Sequence, residues 1–442
     1  MKGQVIGVLG LGRSGLAAIA ALRAAGAHIF AFDDAKAHQC IPGVTMTDWQ
    51  DWPWEKLDAL VISPGIPHRH PTPHPAAARA DHQRIEVISE VELALRAKPS
   101  AKLVVITGTN GKSTTTALIG HCLDSAGYPV AIGGNLGDAA CSLDDPGENG
   151  ILVLELSSYQ LETTPSLAPS ISILLNISPD HLDRHGGMGG YVAAKSVVLE
   201  RLKKSSVAII GAGDKYVKTL AKTTAAKGIK TLIASPDLAP ISQRQSTALA
   251  GAHNAENAAA AALALHTIGL DDRIIDQGIA SFTNLPHRLQ RIVSCGNIQF
   301  INDSKATNSI AAANALAVFE NVYWIAGGIA KEDGLAPAMQ HVSRVKKAYL
   351  IGDAAAAFAT SLAGICPASI CDDLEKATRA AFEDASADPD GGTILLAPAA
   401  ASFDQFPNFS ARGDAFAALA RDLCAAGLPK HSAITGPGDT HA

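Results

Sequence analysis

No run of 18 or more uninterrupted apolar residues occurs in the chain, so hydropathy offers no segment suited to spanning a bilayer. Positive charge is not in excess either. The 36 Lys and Arg stand against 42 Asp and Glu, a formal net charge of -6, which leaves no broad cationic surface to hold a nucleic-acid backbone. Cys-x-x-Cys pairs are missing. The seven cysteines (40, 122, 141, 295, 366, 371 and 424) are odd in number and scattered, so neither a disulfide framework nor a zinc ribbon is indicated, and a reducing cytosol fits. The apolar stretch after Lys2 is broken by Arg13, Arg23 and several glycines, which argues against a signal peptide. What remains is a chain of 442 residues, 47% hydrophobic, sized for two to four packed domains.

Short β-branched runs give way repeatedly to alanine-rich helical stretches. Strands are expected at residues 5–9, 103–107, 151–154 and 171–176, with helices at 15–25 and 112–126. This alternation predicts an α/β fold with parallel-rich sheets. The charged, Pro-punctuated stretch 96–102 and the Thr283-Asn-Leu-Pro286 segment place boundaries near 97 and 285. The division is 1–97, 98–285 and 286–430. Residues 431–442 mix Pro, Gly, His and Ser without apolar periodicity and are expected to be a disordered tail.

The first strand runs into Gly10-Leu-Gly-Arg-Ser-Gly15 just before a helix, the arrangement that seats a phosphate on a helix N-terminus. A second strand ends in Asp33 and Asp34, near where an acidic residue would meet a ribose hydroxyl. A dinucleotide, another nucleotide diphosphate and a purely structural turn all remain compatible with this loop. Leu60-Val-Ile-Ser-Pro-Gly65 closes another buried strand with small residues that let backbone amides approach a ligand. The following run, Pro67-His-Arg-His-Pro-Thr-Pro-His-Pro75, reads as a solvated loop rather than a metal site.

Leu103-Val-Val-Ile-Thr107 leads into Gly108-Thr-Asn-Gly-Lys-Ser-Thr114 and then a helix, the order a phosphate-binding loop requires. Ile106 stands where the full pattern has a glycine, but the shorter form retains the physics. Loop amides would cradle the phosphates of ATP, Lys112 would reach the β- and γ-phosphates, and the hydroxyl of Ser113 or Thr114 could ligate Mg²⁺. Glu155 ends a buried strand, where a carboxylate is costly unless a cation faces it, so it is the expected Mg²⁺ ligand. His181, in Asn176-Ile-Ser-Pro-Asp-His-Leu-Asp183, is a candidate second metal ligand.

These segments, with Glu155-Leu-Ser-Ser-Tyr-Gln160 and Tyr191-Val-Ala-Ala-Lys195, resemble in order and spacing the central domain of the Mur ligases. The resemblance implies three domains: an N-terminal Rossmann-like UDP-binding domain, a central P-loop ATPase domain and a C-terminal Rossmann-like domain. It implies that Lys195 is carbamylated, turning a cation into an anionic ligand: Glu155 and the loop hydroxyl of Ser113 would hold one Mg²⁺, while His181 and modified Lys195 would hold or orient a second. It further implies adenine contacts from Asn254 and Asn257, and ATP contacts from Gly108, Thr109, Asn110, Gly111, Arg288, Asp303 and Lys305. The glycine loop of the first domain would seat a UDP-sugar instead of NAD, through Leu11, Arg13, Ser14, Asp33, Ser63, Asn135 and His181.

The early Ser63-Pro-Gly65 turn and the late Ala397-Pro-Ala-Ala-Ala-Ser-Phe-Asp-Gln-Phe-Pro-Asn-Phe409 run are similar to the D-glutamate-adding branch of the family. There Thr307, Lys331, Ser402, Phe403 and Phe409 would surround the incoming dicarboxylate. The implied chemistry is an acyl phosphate formed from the alanyl carboxylate of UDP-N-acetylmuramoyl-L-alanine and ATP, captured by the amine of D-glutamate. Lys112, His181, Lys195 and Arg288 would carry the catalytic charge. A cytoplasmic monomer making cell-wall precursor is expected, with small-molecule partners and no nucleic acid. Three rival readings are another Mur ligase or a folylpolyglutamate synthetase, an NAD-dependent dehydrogenase, and a nucleotide-sensing module without turnover.

Overall fold

The computed structural model describes residues 1–35, 40–97, 99–246, 248–283, 285–331 and 334–427. The expected tail at 431–442 lies outside them, as do Lys98 and Asn284 at the proposed boundaries. Two compact units meet in sequence between Phe282 and Thr283.

The first unit holds two sheets, in both of which every described pairing is parallel. One has the order β3-β2-β1-β4-β5, from β1 (Val5–Leu9), β2 (His28–Phe32), β3 (Thr45–Met46), β4 (Ala59–Ile62) and β5 (Glu86–Ile88). The other has the order β11-β10-β9-β6-β8-β7, from β6 (Lys102–Thr107), β7 (Val130–Gly134), β8 (Ile151–Glu155), β9 (Ile171–Leu174), β10 (Val207–Gly211) and β11 (Lys230–Ala234). Continuous apolar runs form these strands because helices cover both sheet faces. In β6, Val104 and Ile106 enter one core while Leu103 and Val105 enter the other, the alternation a pleated strand imposes. Each such side chain contributes about 1.5–3 kcal/mol on burial.

The second unit is a six-stranded sheet of order β12-β13-β18-β14-β16-β17. Its strands are β12 (Gln290–Cys295), β13 (Ile298–Asn302), β14 (Val322–Gly327), β16 (Val345–Ile351), β17 (Ala368–Ile370) and β18 (Gly392–Leu396). Only the β12–β13 hairpin is antiparallel within this sheet. A short antiparallel ribbon, β15 (Ile329–Ala330) with β19 (Ala400–Ala401), adjoins it in sequence.

Two expectations change. Cys295 and Cys424 are disulfide-bonded, their Cα atoms 5.6 Å apart, although 129 residues separate them. The end of β12 and the final helix, Phe409–Ala426, bring them together, which spacing along the chain does not reveal. The strand expected at 171–176 stops at Leu174, and its polar continuation becomes a loop. Among the described residues no helix is long and apolar enough to cross a membrane.

The first glycine loop depends on close backbone approach. A Cβ on Gly15 would lie 1.9 Å from the Gly10 carbonyl oxygen, whereas one on Gly12 would meet nothing within 4 Å. Gly15→Ala is therefore expected to destabilise the protein by about 1–3 kcal/mol and Gly12→Ala to be near neutral. Urea-unfolding midpoints of the two variants check this, and equal midpoints would remove the steric argument.

Candidate active site

The carboxyl end of β6 passes directly into the central glycine loop. Gly108 and Gly111 have φ of 154° and 85°. A Cβ on Gly111 would come within 2.2 Å of Asn257 Oδ1, so only glycine lets the loop lie against that amide. Asn257 donates to Asn254 Oδ1 (3.1 Å) and Asn254 to the Ala250 carbonyl (2.9 Å), which fixes both buried amides beside the loop. The segment after β9 holds the loop from its other side. Asn176 accepts Thr109 N–H at its carbonyl (2.9 Å) and Asn110 N–H at Oδ1 (2.8 Å). Thr109 Oγ1 accepts Ser178 N–H (3.0 Å) and lies 3.0 Å from the Tyr191 hydroxyl. Ser113 and Thr114, in the first turn of helix Lys112–Ser125, are buried.

Two lysines converge on one carbonyl oxygen. Lys112 Nζ donates to the carbonyls of Gly108 and Thr109, and Lys195 Nζ donates to Gly108, all at 2.8 Å. Lys195 is 2% exposed and sits 4.8 Å over the Tyr191 ring, so it is not the solvated helix lysine its helical position alone suggests. Burial, and then the charge of Lys112, hold its pKa well below the ordinary lysine value, while Asp180 and Glu155 act in the opposite sense. Glu155 is 1% exposed, pairs with Ile106 across β8 and β6, and accepts Asn135 Nδ2 at 2.8 Å.

No group of three or more His, Cys, Asp and Glu able to hold a metal by itself occurs among the described residues. Mg²⁺ carried by a nucleotide needs only one or two carboxylates beside phosphate oxygens and water. The Ser113 hydroxyl, in the first turn of the helix that follows β6, and the Glu155 carboxylate, at the end of the adjacent strand β8, suit it.

Residues that the motifs did not single out surround His181. This histidine has φ of 51° and lies 3.7 Å from Asp180. The Tyr159 ring contacts His181 edge-on (5.5 Å), stacks on His185 (5.2 Å) and lies beneath the Arg184 guanidinium (4.5 Å). His185 is buried between Ser158 Oγ (2.9 Å) and Glu162 (3.3 Å). Arg184 donates to the carbonyls of Gly65 (2.9 Å) and Pro64 (3.4 Å), tying this layer to the Ser63-Pro64-Gly65 turn. Ser158 and Tyr159 lie in the quoted Glu155–Gln160 segment, whereas nothing in Asp183-Arg-His185 distinguishes Arg184 and His185 from residues of a solvated turn.

In the first sheet, Asp33 accepts Leu11 N–H (2.6 Å) and Ala35 N–H (2.9 Å), so its carboxylate organises the glycine loop. Ser63 Oγ donates to the Gly10 carbonyl at 3.2 Å, and half-buried Ser14 lies in the first helical turn. Arg13 donates to the Asn135 carbonyl (3.1 Å), and Asn135 reaches Glu155, linking the two loops through one residue. The proline-rich histidine run is not simply solvated. His74 caps helix Pro75–His82 and lies 3.3 Å from Asp34, and burial lowers the pKa of His68.

In the second unit the carboxyl ends of neighbouring parallel strands β13, β18 and β14 carry residues 303–308, 397–403 and 328–331, the edge where open α/β sheets bind ligands. Lys305 Nζ sits 3.9 Å over the Phe409 ring, and Thr307 is half-buried. Ser402 is buried, but Phe403 is 71% exposed and so is not a core residue. The ribbon pairs Ile329 with Ala401 and Ala330 with Ala400, so Lys331 and Ser402 leave it from opposite ends. Arg412, absent from the motif reading, is 1% exposed and donates to Ser304 Oγ (3.0 Å) and to the carbonyls of Ser304 (3.0 Å), Ala400 (3.2 Å) and Gly327 (3.4 Å).

Burial pushes the Asp303 pKa up to about 7, with Arg288 and the Leu289 amide opposing the rise. Because the folded state keeps this proton to higher pH than the unfolded chain, stability falls as pH rises from about 4 to about 7 and then levels. Asp303→Asn is expected to flatten that part of the stability-versus-pH curve. Urea titrations across the window check it, and an unchanged slope would contradict it.

With this geometry established, similarity to known proteins becomes informative. Residues 106–239 match the Mur ligase middle domain, and 287–400 match the Mur ligase glutamate ligase domain. The chain is 43% identical over 441 residues to the UDP-N-acetylmuramoylalanine--D-glutamate ligase of Paramagnetospirillum magneticum, covering 95% of this chain and 96% of that one. It is 41% identical over 458 residues to the same-named enzyme of Caulobacter vibrioides, covering 96% and 97%. The UDP-N-acetylmuramate-alanine ligase of Thermotoga maritima shares the fold at 16% identity, with TM-score 0.59 over 94% of this chain and 99% of that one. A folylpolyglutamate synthase of Mycobacterium tuberculosis does so at 15% identity, with TM-score 0.57 over 74% and 94%. An identity above 40% along almost the whole length, joined to the lysine-bearing glycine loop and its buried glutamate, means that the chain belongs to the Mur ligase family.

Proposed function

We propose that the chain is an ATP-dependent ligase that joins D-glutamate to UDP-N-acetylmuramoyl-L-alanine, acting as a cytoplasmic monomer in peptidoglycan precursor synthesis. The observation that carries the chemistry is the meeting of Lys112 and Lys195 on the Gly108 carbonyl, with Glu155 acting on Lys195. The choice of substrates rests on the names of the relatives that match along nearly the whole chain. Relatives that match at 41–43% identity along nearly the whole chain favour this reading over a folylpolyglutamate synthase, whose likeness at 15% identity is one of fold alone.

In this reading residues 1–97 bind the UDP-sugar through Leu11, Arg13, Ser14, Asp33 and Ser63, with Asn135 and His181 contributing from the next domain. Residues 98–285 bind ATP, and 286–430 bind the amino acid through Thr307, Lys331, Ser402, Phe403 and Phe409. Amides at the start of helix Lys112–Ser125 hold the phosphates, and Lys112 swings from its two carbonyl acceptors onto the β- and γ-phosphates. The substrate carboxylate attacks the γ-phosphorus, ADP leaves, and the amine then attacks the acyl carbon and expels phosphate. One Mg²⁺, held by Ser113 and Glu155, and a second, held or oriented by His181 and modified Lys195, would offset the repulsion between carboxylate and triphosphate. The depressed pKa of Lys195 favours the neutral amine, which adds to CO₂ with loss of a proton to give the carbamate. That modification replaces repulsion between two lysines with attraction for a cation.

Phosphate release in the presence of UDP-N-acetylmuramoyl-L-alanine and a panel of amino acids tests the reading. Full turnover is expected with D-glutamate alone, and equal turnover with L-glutamate or L-alanine would overturn the assignment. Lys112→Ala is expected to lower the rate on the order of 10³-fold. Lys195→Ala should be similarly impaired but partly restored by short-chain carboxylic acids; absence of rescue would leave Lys195 without a role as a metal ligand.

A further inference from the structure

We infer that Arg412 is the positioning residue that sets the geometry of the amino-acid site, by clamping the three loops that carry its side chains. The inference rests on the reading that Thr307, Lys331 and Ser402, carried by segments 303–308, 328–331 and 397–403, bind the amino acid.

Arg412 lies three residues after Phe409, one turn into helix Phe409–Ala426. Its guanidinium reaches the segment after β13 at Ser304, the segment after β18 at Ala400 and the end of β14 at Gly327. Each anchor stands a few residues from a residue assigned to the amino acid: Ser304 from Thr307, Ala400 from Ser402, Gly327 from Lys331. Ser304 Oγ donates in turn to the Phe409 carbonyl at 2.8 Å, which joins the clamp to the start of the helix that bears it. The backbone leaves room for the group by close approach. A Cβ on Gly328 would lie 2.0 Å from the Ala401 carbonyl oxygen and 3.3 Å from Arg412 Nη1.

Arginine suits this task because its planar fork presents five donors in fixed directions, whereas a lysine ammonium at one point cannot reach all three segments. All four bonds end on neutral oxygens. A buried cation with neutral acceptors is a poor source of stability compared with apolar packing. Burial lowers its pKa to about 10, with Asp404 opposing the fall, so the guanidinium stays charged at neutral pH. The same charge adds a positive potential beside residues assigned to a dicarboxylate.

The test uses the full chain with Arg412→Gln and Arg412→Lys, measuring KM for each substrate, kcat and thermal melting, with hydrogen exchange of the three segments. Both variants are expected to raise the KM for the amino acid by about tenfold or more, and by more than the KM for ATP, with the KM for the nucleotide-sugar within about twofold. Amides in 303–308, 327–331 and 397–403 should exchange faster together. An unchanged amino-acid KM in a folded variant, a parallel loss in every kinetic constant, or faster exchange in one segment alone would overturn the clamp. If the wild-type chain turns over a different amino acid, the D-glutamate assignment fails while the clamp is judged on that amino acid. If it turns over none, the exchange of the three segments decides.

Discussion

Two lysine side chains on the same backbone oxygen are the constraint from which the rest of the central site follows. Lys112 and Lys195 each lie 2.8 Å from the Gly108 carbonyl, and Lys195 is buried there. Like charges that share one acceptor in a low-dielectric site raise the free energy of both unless anions arrive or one lysine loses its proton. A triphosphate would supply the first remedy and the proposed carbamate the second. Gly108 and Gly111 let the loop fold tightly enough for this meeting, and Asn176, Thr109 and Tyr191 hold it in place.

The sheets turn this local chemistry into an arrangement of substrates. In each sheet the loops of interest leave the carboxyl ends of parallel strands, because helices return the chain on the faces and leave that edge open. Within the first unit two arginines connect neighbouring loops. Arg13 reaches Asn135, which holds Glu155, and Arg184 reaches the Pro64-Gly65 turn while lying over Tyr159, the ring that also meets His181. The turn proposed to hold nucleotide-sugar and the side chains proposed to handle phosphate are thus parts of one hydrogen-bonded and stacked layer.

Much of this was legible in the sequence, for physical reasons. Apolar runs such as Val5–Leu9 and Lys102–Thr107 announce strands buried on both faces, and glycines before Lys112 announce a tight loop ahead of a helix. Lys195 was legible only by resemblance, since helical position alone gives no sign of its burial. His185 and Arg412 were not legible, because their partners lie on other elements: Ser158 and Glu162 for the histidine, Ser304, Ala400 and Gly327 for the arginine. The bond between Cys295 and Cys424 was hidden for the same reason. The run after Pro67 reads as a solvated loop and residues 69–72 are exposed, but polarity gave no sign that His74 caps a helix.

The central claim is that phosphate passes from ATP to a substrate carboxylate beside Lys112 before any amide forms. Oxygen-18 placed in the alanyl carboxylate of UDP-N-acetylmuramoyl-L-alanine follows that transfer directly. One labelled oxygen should appear in each released phosphate when D-glutamate is added, because the oxygen that attacks phosphorus leaves with it. Unlabelled phosphate alongside amide product would contradict the account.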